Sequence, residues 1–149
     1  MVRGVLQKVR TEIMIQEHKD LLMKDLCSRL PFGVKVEHIC SRRKPSDLLC
    51  IDAEKGVIYC AFKGREDKYK IEFVKPYLRS MSDMTKQEKK EYESTWFENY
   101  HLKDTEEAVW ETDVPYYIDW LNAHHFDYRG LIERGLAIEV TVDYNPYEL

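Results

Sequence analysis

A chain of 149 residues with 44% hydrophobic and 34% charged side chains is the size of one domain, able to bury roughly 68–70% of the surface its unfolded form exposes. An aromatic content of 12% argues against an intrinsically disordered chain, and no apolar run approaches the roughly 18 residues of a membrane-spanning helix. The net charge of −4 argues against tight binding to duplex nucleic acid.

Residues 1–13 carry Arg3, Lys8 and Arg10 but no apolar core with a small-residue cleavage site. A secretory leader is not expected, and the expected compartment is the cytoplasm. Val5, Val9 and Ile13 have helical spacing. They fit an extension of the first helix, a separate helix, a frayed tail, or an over-long start ahead of Met14. Residues 17–30 then read as a helix. Leu22, Leu26 and Leu30 recur every four positions, flanked by Met23 and Cys27, which makes one apolar stripe. Pro31 and Gly33 end it.

Residues 33–76 read as β structure. In "VKVEHIC", Val34, Val36, His38 and Cys40 alternate with Lys35 and Glu37. "LLCID" and "VIYCAF" flank the turn "AEKG", where Gly56 supplies a positive φ. After the turn "KGRED", "KYKIEFV" alternates Tyr69, Ile71 and Phe73 against Lys68, Lys70 and Glu72, with Pro76 closing the run. The pattern predicts a four-stranded antiparallel meander, either open or curled into a small barrel.

Residues 85–134 read as helical. Thr85 and Glu88 form a capping box, and Tyr92, Trp96 and Tyr100 lie on one stripe. A further helix is expected from Thr112 or Asp113, through Pro115, with Val114, Tyr117, Ile118 and Leu121 buried. Asp127 is a good N-cap for a short helix "YRGLIER", with Leu131 and Ile132 inward and Gly135 as its left-handed stop. Residues 136–142 alternate Leu136, Ile138, Val140 and Val142, predicting a last strand that joins an edge of the meander. The expected fold is therefore a single-domain α+β protein.

Cys27, Cys40, Cys50 and Cys60 include no C-x-x-C pair, so buried free thiols are expected rather than a metal or disulfide site. Charge is split along the chain: residues 33–79 hold 11 Lys/Arg against 7 Asp/Glu, while residues 83–149 hold 6 against 16. That polarity either steers an anion to the first half or reflects solvated acidic helix faces.

Two groups of residues could carry chemistry. His124, His125 and Asp127 supply an imidazole and a carboxylate for a general base or a metal. Adjacent histidines point apart, however, and no spacing selects a further ligand among His101, His38 and the cysteines. A helix-end role fits them as well. Neither a metal nor a cofactor is assigned. The second group is basic and interleaved with aromatics: Arg42, Arg43 and Lys44 on a loop, Lys63 and Arg65 at a turn, Lys68 and Tyr69 on a strand. Such a set suits a nucleotide or a single nucleic-acid strand. Lysines on an edge strand also serve to block edge pairing.

The blocks "EHKDLLMKDLCSRLPFGVKV", "IEFVKPYLRSMSDMT" and "DWLNAHHFDYRGLIERGLAIEV" resemble a family of small proteins encoded by phages and mobile elements of anaerobic gut bacteria, over most of residues 14–142. No activity comes with the resemblance, so no catalytic residue is carried over. It implies a cytoplasmic accessory protein, an antagonist of host defence that binds a host protein or sequesters a nucleotide signal. The expected function is a non-enzymatic binding module for a host protein or a nucleotide-like anion. The alternatives are a small hydrolase or metal-dependent enzyme using His124 or His125 with Asp127, and a single-stranded nucleic-acid-binding protein. Homo-oligomer formation stays open.

Overall fold

The computed structural model describes residues 14–101 and 117–148, with side chains over 14–93 and 117–148. The readings at Val5, Val9 and Ile13, at Thr112, Asp113, Val114 and Pro115, and for the side chains of Trp96, Tyr100 and His101 lie outside the described residues. The architecture is α+β. Helix α1 (Gln16–Arg29) runs into a 3-10 turn at Leu30–Phe32, and Gly33 closes it at φ +77°, where a side chain would be strained. Strands β1 (Lys35–His38), β2 (Ser46–Asp52), β3 (Val57–Phe62), β4 (Arg65–Lys70) and β5 (Val74–Leu78) follow. Helix α2 (Lys86–His101), helix α3 (described over 117–123) and strand β6 (Ile138–Glu139) complete the set. Among the described residues the sheet order is β4-β3-β2-β1-β5-β6, antiparallel except for the β5–β6 pair.

The run 68–74 is not one strand. Strand β4 ends at Lys70, Ile71–Phe73 form a 3-10 turn, and a separate strand β5 begins at Val74. The expected four-stranded meander, β1 to β4, is present, and β5 is an additional strand. The turn returns the chain to β1, whose free edge β5 takes. Crossing four strand spacings of about 4.8 Å on a flat sheet would need roughly 19 Å, whereas four residues reach at most about 14 Å. The sheet must therefore curl. His38 on β1 stacks on Tyr69 on β4, centroids 4.2 Å apart, which brings together strands that are not hydrogen-bonded neighbours. The sheet is nonetheless not closed into a barrel.

Pro76 does not end the sheet either; it pairs with Val36 inside β5. Phe73 O accepts from Ile39 N, and Leu78 O accepts from Val140 N. Odd positions of β5 thus bond towards β1 and even positions away from it. The missing N–H of Pro76 points to the outer edge, where β6 takes up register only from Tyr77, so no ladder bond is lost.

Leu22 and Leu26 of α1 press onto Val34, Val36, Leu48, Ile58, Cys60, Val74 and Leu78. Each such side chain, once fully buried, is worth about 1.5–3 kcal/mol in transfer free energy. Asp25 and Arg29 on the same helix are also fully buried, so its inner face is not purely apolar. Of the four cysteines only Cys60 is buried, while Cys27, Cys40 and Cys50 are exposed. Cys27 sits off the Leu22–Leu26 stripe, Cys40 falls in the turn after β1, and a bulge between Leu48 and Cys50 breaks the inward alternation of β2.

The capping box forms as expected. Thr85 Oγ1 accepts from Glu88 N at 3.1 Å, and Glu88 Oε1 accepts from Thr85 N at 3.1 Å. Glu88 also takes both ends of the Arg79 guanidinium at 2.6 and 2.7 Å. These bonds from Arg79, acting against a smaller opposing effect of burial, hold the Glu88 carboxyl down to about 2 from its ordinary 4.5. A carboxyl lowered on folding stabilises the fold above its ordinary value, and that stability is lost as pH falls through the folded value. Urea midpoints of the native chain should therefore decline between pH 4.5 and about 2. In Glu88→Gln that part of the decline should be missing, with a lower midpoint at neutral pH.

Asp127 does cap backbone amides, but no α-helix follows. Its two oxygens accept from Leu131 N and Ile132 N, both at 2.9 Å. Gly130 at φ +73° precludes a helical run from 128. A single turn over 131–135 ends in a Schellman motif: Leu136 N donates to Leu131 O, Gly135 N donates to Ile132 O, and Gly135 is at φ +71°. Because Leu136 is consumed there, the last strand shrinks from 136–142 to Ile138–Glu139, parallel to β5.

Candidate functional site

The curl of the sheet creates a cleft between the β1–β2 loop and the β3–β4 hairpin. Its volume is about 230 Å³, and His38, Ser41, Lys44, Ser46, Phe62, Arg65, Asp67 and Tyr69 line it. The hairpin is tight. Lys63 and Gly64 both have positive φ, +49° and +82°, the backbone of a two-residue type I′ turn. Cross-strand pairing then fixes the faces of β4. Asp67 opposes the buried Cys60 and Tyr69 opposes the buried Ile58, so Arg65, Asp67 and Tyr69 share the inner face. Glu66, Lys68 and Lys70 take the other.

His38 is the hinge of the cleft. Its ring lies on Tyr69 and meets Phe73 edge-on at 6.4 Å. Its Nδ1 accepts from Cys40 N at 3.2 Å, which places the proton of the neutral ring on Nε2. Burial lowers the His38 pKa, in keeping with that neutral form. Burial first, and then the charge of Asp67, raises the Tyr69 phenol. The loop is shaped by Ser41 N donating to His38 O at 2.9 Å and Lys44 N donating to Ser41 O at 3.3 Å. Arg65 and Asp67 approach to 3.5 Å, but the arginine side chain is 82% exposed, so this pair is weak and separable.

Of the basic set expected to bind a ligand, Lys44, Arg65 and Tyr69 come together here. Arg42, Arg43, Lys63 and Lys68 do not. Arg42 is exposed. Arg43, at φ +58°, donates its amide to Glu37, and its guanidinium sits 5.6 Å over the Tyr144 ring. The Lys63 ammonium lies 5.4 Å over Phe62, and Lys68 opposes Tyr59 on the outer face. Residue-type reasoning overlooked Ser41, Ser46 and Asp67, took Phe62 only as one of the interleaved aromatics, and raised His38 only as a further metal ligand. The alternation of β1 did place His38 on the inward face with Val34 and Val36, but only the curl sets it against Tyr69.

His124, His125 and Asp127 lie directly after the end of α3. His124 stacks on Trp120 at 4.0 Å, and its Nδ1 is 2.8 Å from Trp120 O. His125 takes the left-handed position, φ +64°, that terminates α3. His125 N donates to Asn122 O, and Phe126 N donates to Leu121 O, the same two-bond closure that Gly135 makes. Asp127 serves two amides and neither imidazole. Neither histidine lines this cleft or the larger one of about 560 Å³ beside β6, whose walls include the carboxylates of Asp83, Glu139 and Glu148. Among the described residues no three His, Cys, Asp or Glu side chains gather as a metal would need, and no helix is long and apolar enough to cross a membrane.

Fold and cleft together define an α+β protein built on an open, curled sheet, with a small basic and aromatic cleft on its inner face. Comparison with protein-family models, with curated proteins and with solved structures finds no match.

Proposed function

We propose that the protein is a non-enzymatic binding module whose ligand is a phosphate-bearing, nucleotide-like anion seated in the His38–Tyr69 cleft. The observation that carries this reading is convergence. The cleft walls bring two separable cations, Lys44 and Arg65, beside two serine side chains and a stacked imidazole–phenol pair. Cations and hydroxyls suit phosphate oxygens, and ring faces suit a base. With about 230 Å³ the cleft is below the roughly 300–1,000 Å³ of pockets for drug-sized ligands, so it takes one phosphate-bearing unit rather than a long strand. On the expectation that the chain is an accessory protein of a mobile element, the proposed role is to hold a nucleotide signal of the host rather than convert it.

Thermal-shift measurements with inorganic phosphate, mononucleotides and cyclic dinucleotides test this. A ligand that binds only the folded state adds about 2.7 kcal/mol at 100 times its dissociation constant, a shift of several degrees for a domain of this size. The shift should vanish in a Lys44→Ala, Arg65→Ala double variant and survive in Lys68→Ala, whose side chain is on the other face. A flat response to every anion, or a shift that Lys68→Ala removes, overturns the reading.

A further inference from the structure

The C-terminal segment is held by an arrangement that none of the cleft chemistry uses. The β1–β5 ladder reaches as far as Val36 opposite Pro76. One step further, Lys35 N and Tyr77 O should bond across the strands, but the strands part there and the Tyr147 hydroxyl stands between them. It accepts from Lys35 N at 3.2 Å and donates to Tyr77 O at 2.6 Å. A single side chain from the tail thus replaces a ladder bond. Burial pushes the Tyr147 phenol well above its ordinary value.

His125 covers this phenol. The two rings are parallel within 9° at a centroid distance of 3.6 Å. The imidazole is carried by a left-handed backbone, and His125 O accepts from Arg79 N at 2.8 Å. Its Nδ1 is buried and has no hydrogen-bond partner. The charged and titratable groups that face it come from every packed element: Arg29 of α1, Lys35 of β1, Arg79 after β5, and the neighbouring His124. Each of the three side-chain cations has a carboxylate partner of its own, Arg29 with Asp25, Lys35 with Asp47 and Arg79 with Glu88.

We propose that His125 and Tyr147 form an acid-releasable latch that holds residues 144–148 in the gap between β1 and β5. A neutral imidazole can lie among three cations, whereas an imidazolium there is both desolvated and repelled. Burial, then Arg29, Arg79, His124 and Lys35, push the His125 pKa down to about 4 from an ordinary 6.5. Between those two values the released form binds a proton that the closed form refuses, so falling pH drives release. Opening frees the Lys35 amide and the Tyr77 carbonyl. Asn145 and Glu148 move with the tail, and with them goes one wall of the 560 Å³ cleft.

Amide hydrogen exchange on the full chain, corrected for the intrinsic pH dependence of exchange, reads this directly. Protection at Lys35 and Tyr147 should fall at least about tenfold as pH drops from 6.5 to about 4, while Ile58 and Cys60 in β3 keep theirs. His125→Asn retains a residue that tolerates the left-handed backbone and does not titrate, so the fall should be absent. Tyr147→Phe should lose Lys35 protection already at neutral pH. Constant protection across the window overturns the latch. So does a fall shared with Ile58 and Cys60, a fall that persists in His125→Asn, or full Lys35 protection in Tyr147→Phe.

Discussion

Asp25→Asn should be among the most destabilising single substitutions in the chain, lowering the unfolding free energy by about 3–5 kcal/mol, as breaking a buried ion pair does. Asp25 and Arg29 are both fully buried. Asp25 Oδ2 accepts from Arg29 Nε at 2.7 Å, and Oδ1 accepts from Arg129 Nη1 at 3.1 Å. Arg29 Nη2 donates to Phe126 O at 2.7 Å, and Arg129 Nη2 donates to Ser28 Oγ at 3.2 Å. The Tyr128 ring lies near both guanidiniums, at 5.1 and 4.7 Å, and its hydroxyl donates to Asn122 Oδ1 at 2.8 Å. One carboxylate thus balances two cations and joins α1 to the segment after α3. Asparagine keeps the shape but leaves both guanidiniums without a counter-charge. Urea unfolding measures the loss. Arg129→Met removes the less deeply buried cation, its side chain 17% exposed, while leaving the Asp25–Arg29 pair, so its loss should be clearly smaller. Equal losses, or a loss below about 1 kcal/mol for Asp25→Asn, would show that the charge does not hold the join.

Phe126→Ala should cost about 3–5 kcal/mol, the usual range for emptying a buried aromatic site. The side chain is fully buried. It lies parallel to Trp120 at 5.9 Å and under the Arg79 guanidinium at 4.2 Å. Around it the backbone makes a parallel bridge to Arg79, with His125 O accepting from Arg79 N and Asp127 N donating to Arg79 O, both at 2.8 Å. Arg79 in turn reaches Glu88 at the start of α2. The ring therefore packs where β5, α2 and α3 meet, and alanine would leave a void bounded by three elements unable to collapse together. Phe126→Leu retains most of the volume and should lose less than about 1.5 kcal/mol. Comparable urea midpoints for the alanine and leucine variants would contradict this packing.

These two sites also show how much of the fold and the candidate site could be read from residue order. Leu22 and Leu26 repeat with the helical period, and the solvent-shy face they mark is the buried one. Thr85 and Glu88 are three apart, and their bonds are local, so the capping box is recoverable without any tertiary contact. Gly56, Gly64 and Gly135 mark turns because few other residues accept a positive φ. The split of 68–74 into β4, a 3-10 turn and β5 was hidden, because Tyr69, Ile71 and Phe73 alternate as in one strand. What breaks the run is the free edge of β1, a partner more than thirty positions away.

The candidate site divides along the same line. Sequence by itself determined that residues 33–79 are basic and aromatic, that His38 shares a face with Val34 and Val36, and that Asp127 caps amides downstream. Those are properties of composition, of strand alternation and of hydrogen bonds within a few residues. Only the tertiary structure decided that Lys44, Arg65, His38 and Tyr69 meet in one cleft while Lys68 faces away, and that Asp127 serves amides rather than an imidazole. It also decided that His125 lies on Tyr147 beneath the parted ends of β1 and β5. Each of these depends on the curl of the sheet or on where the tail docks. Both follow from long-range burial and pairing, which no local spacing encodes.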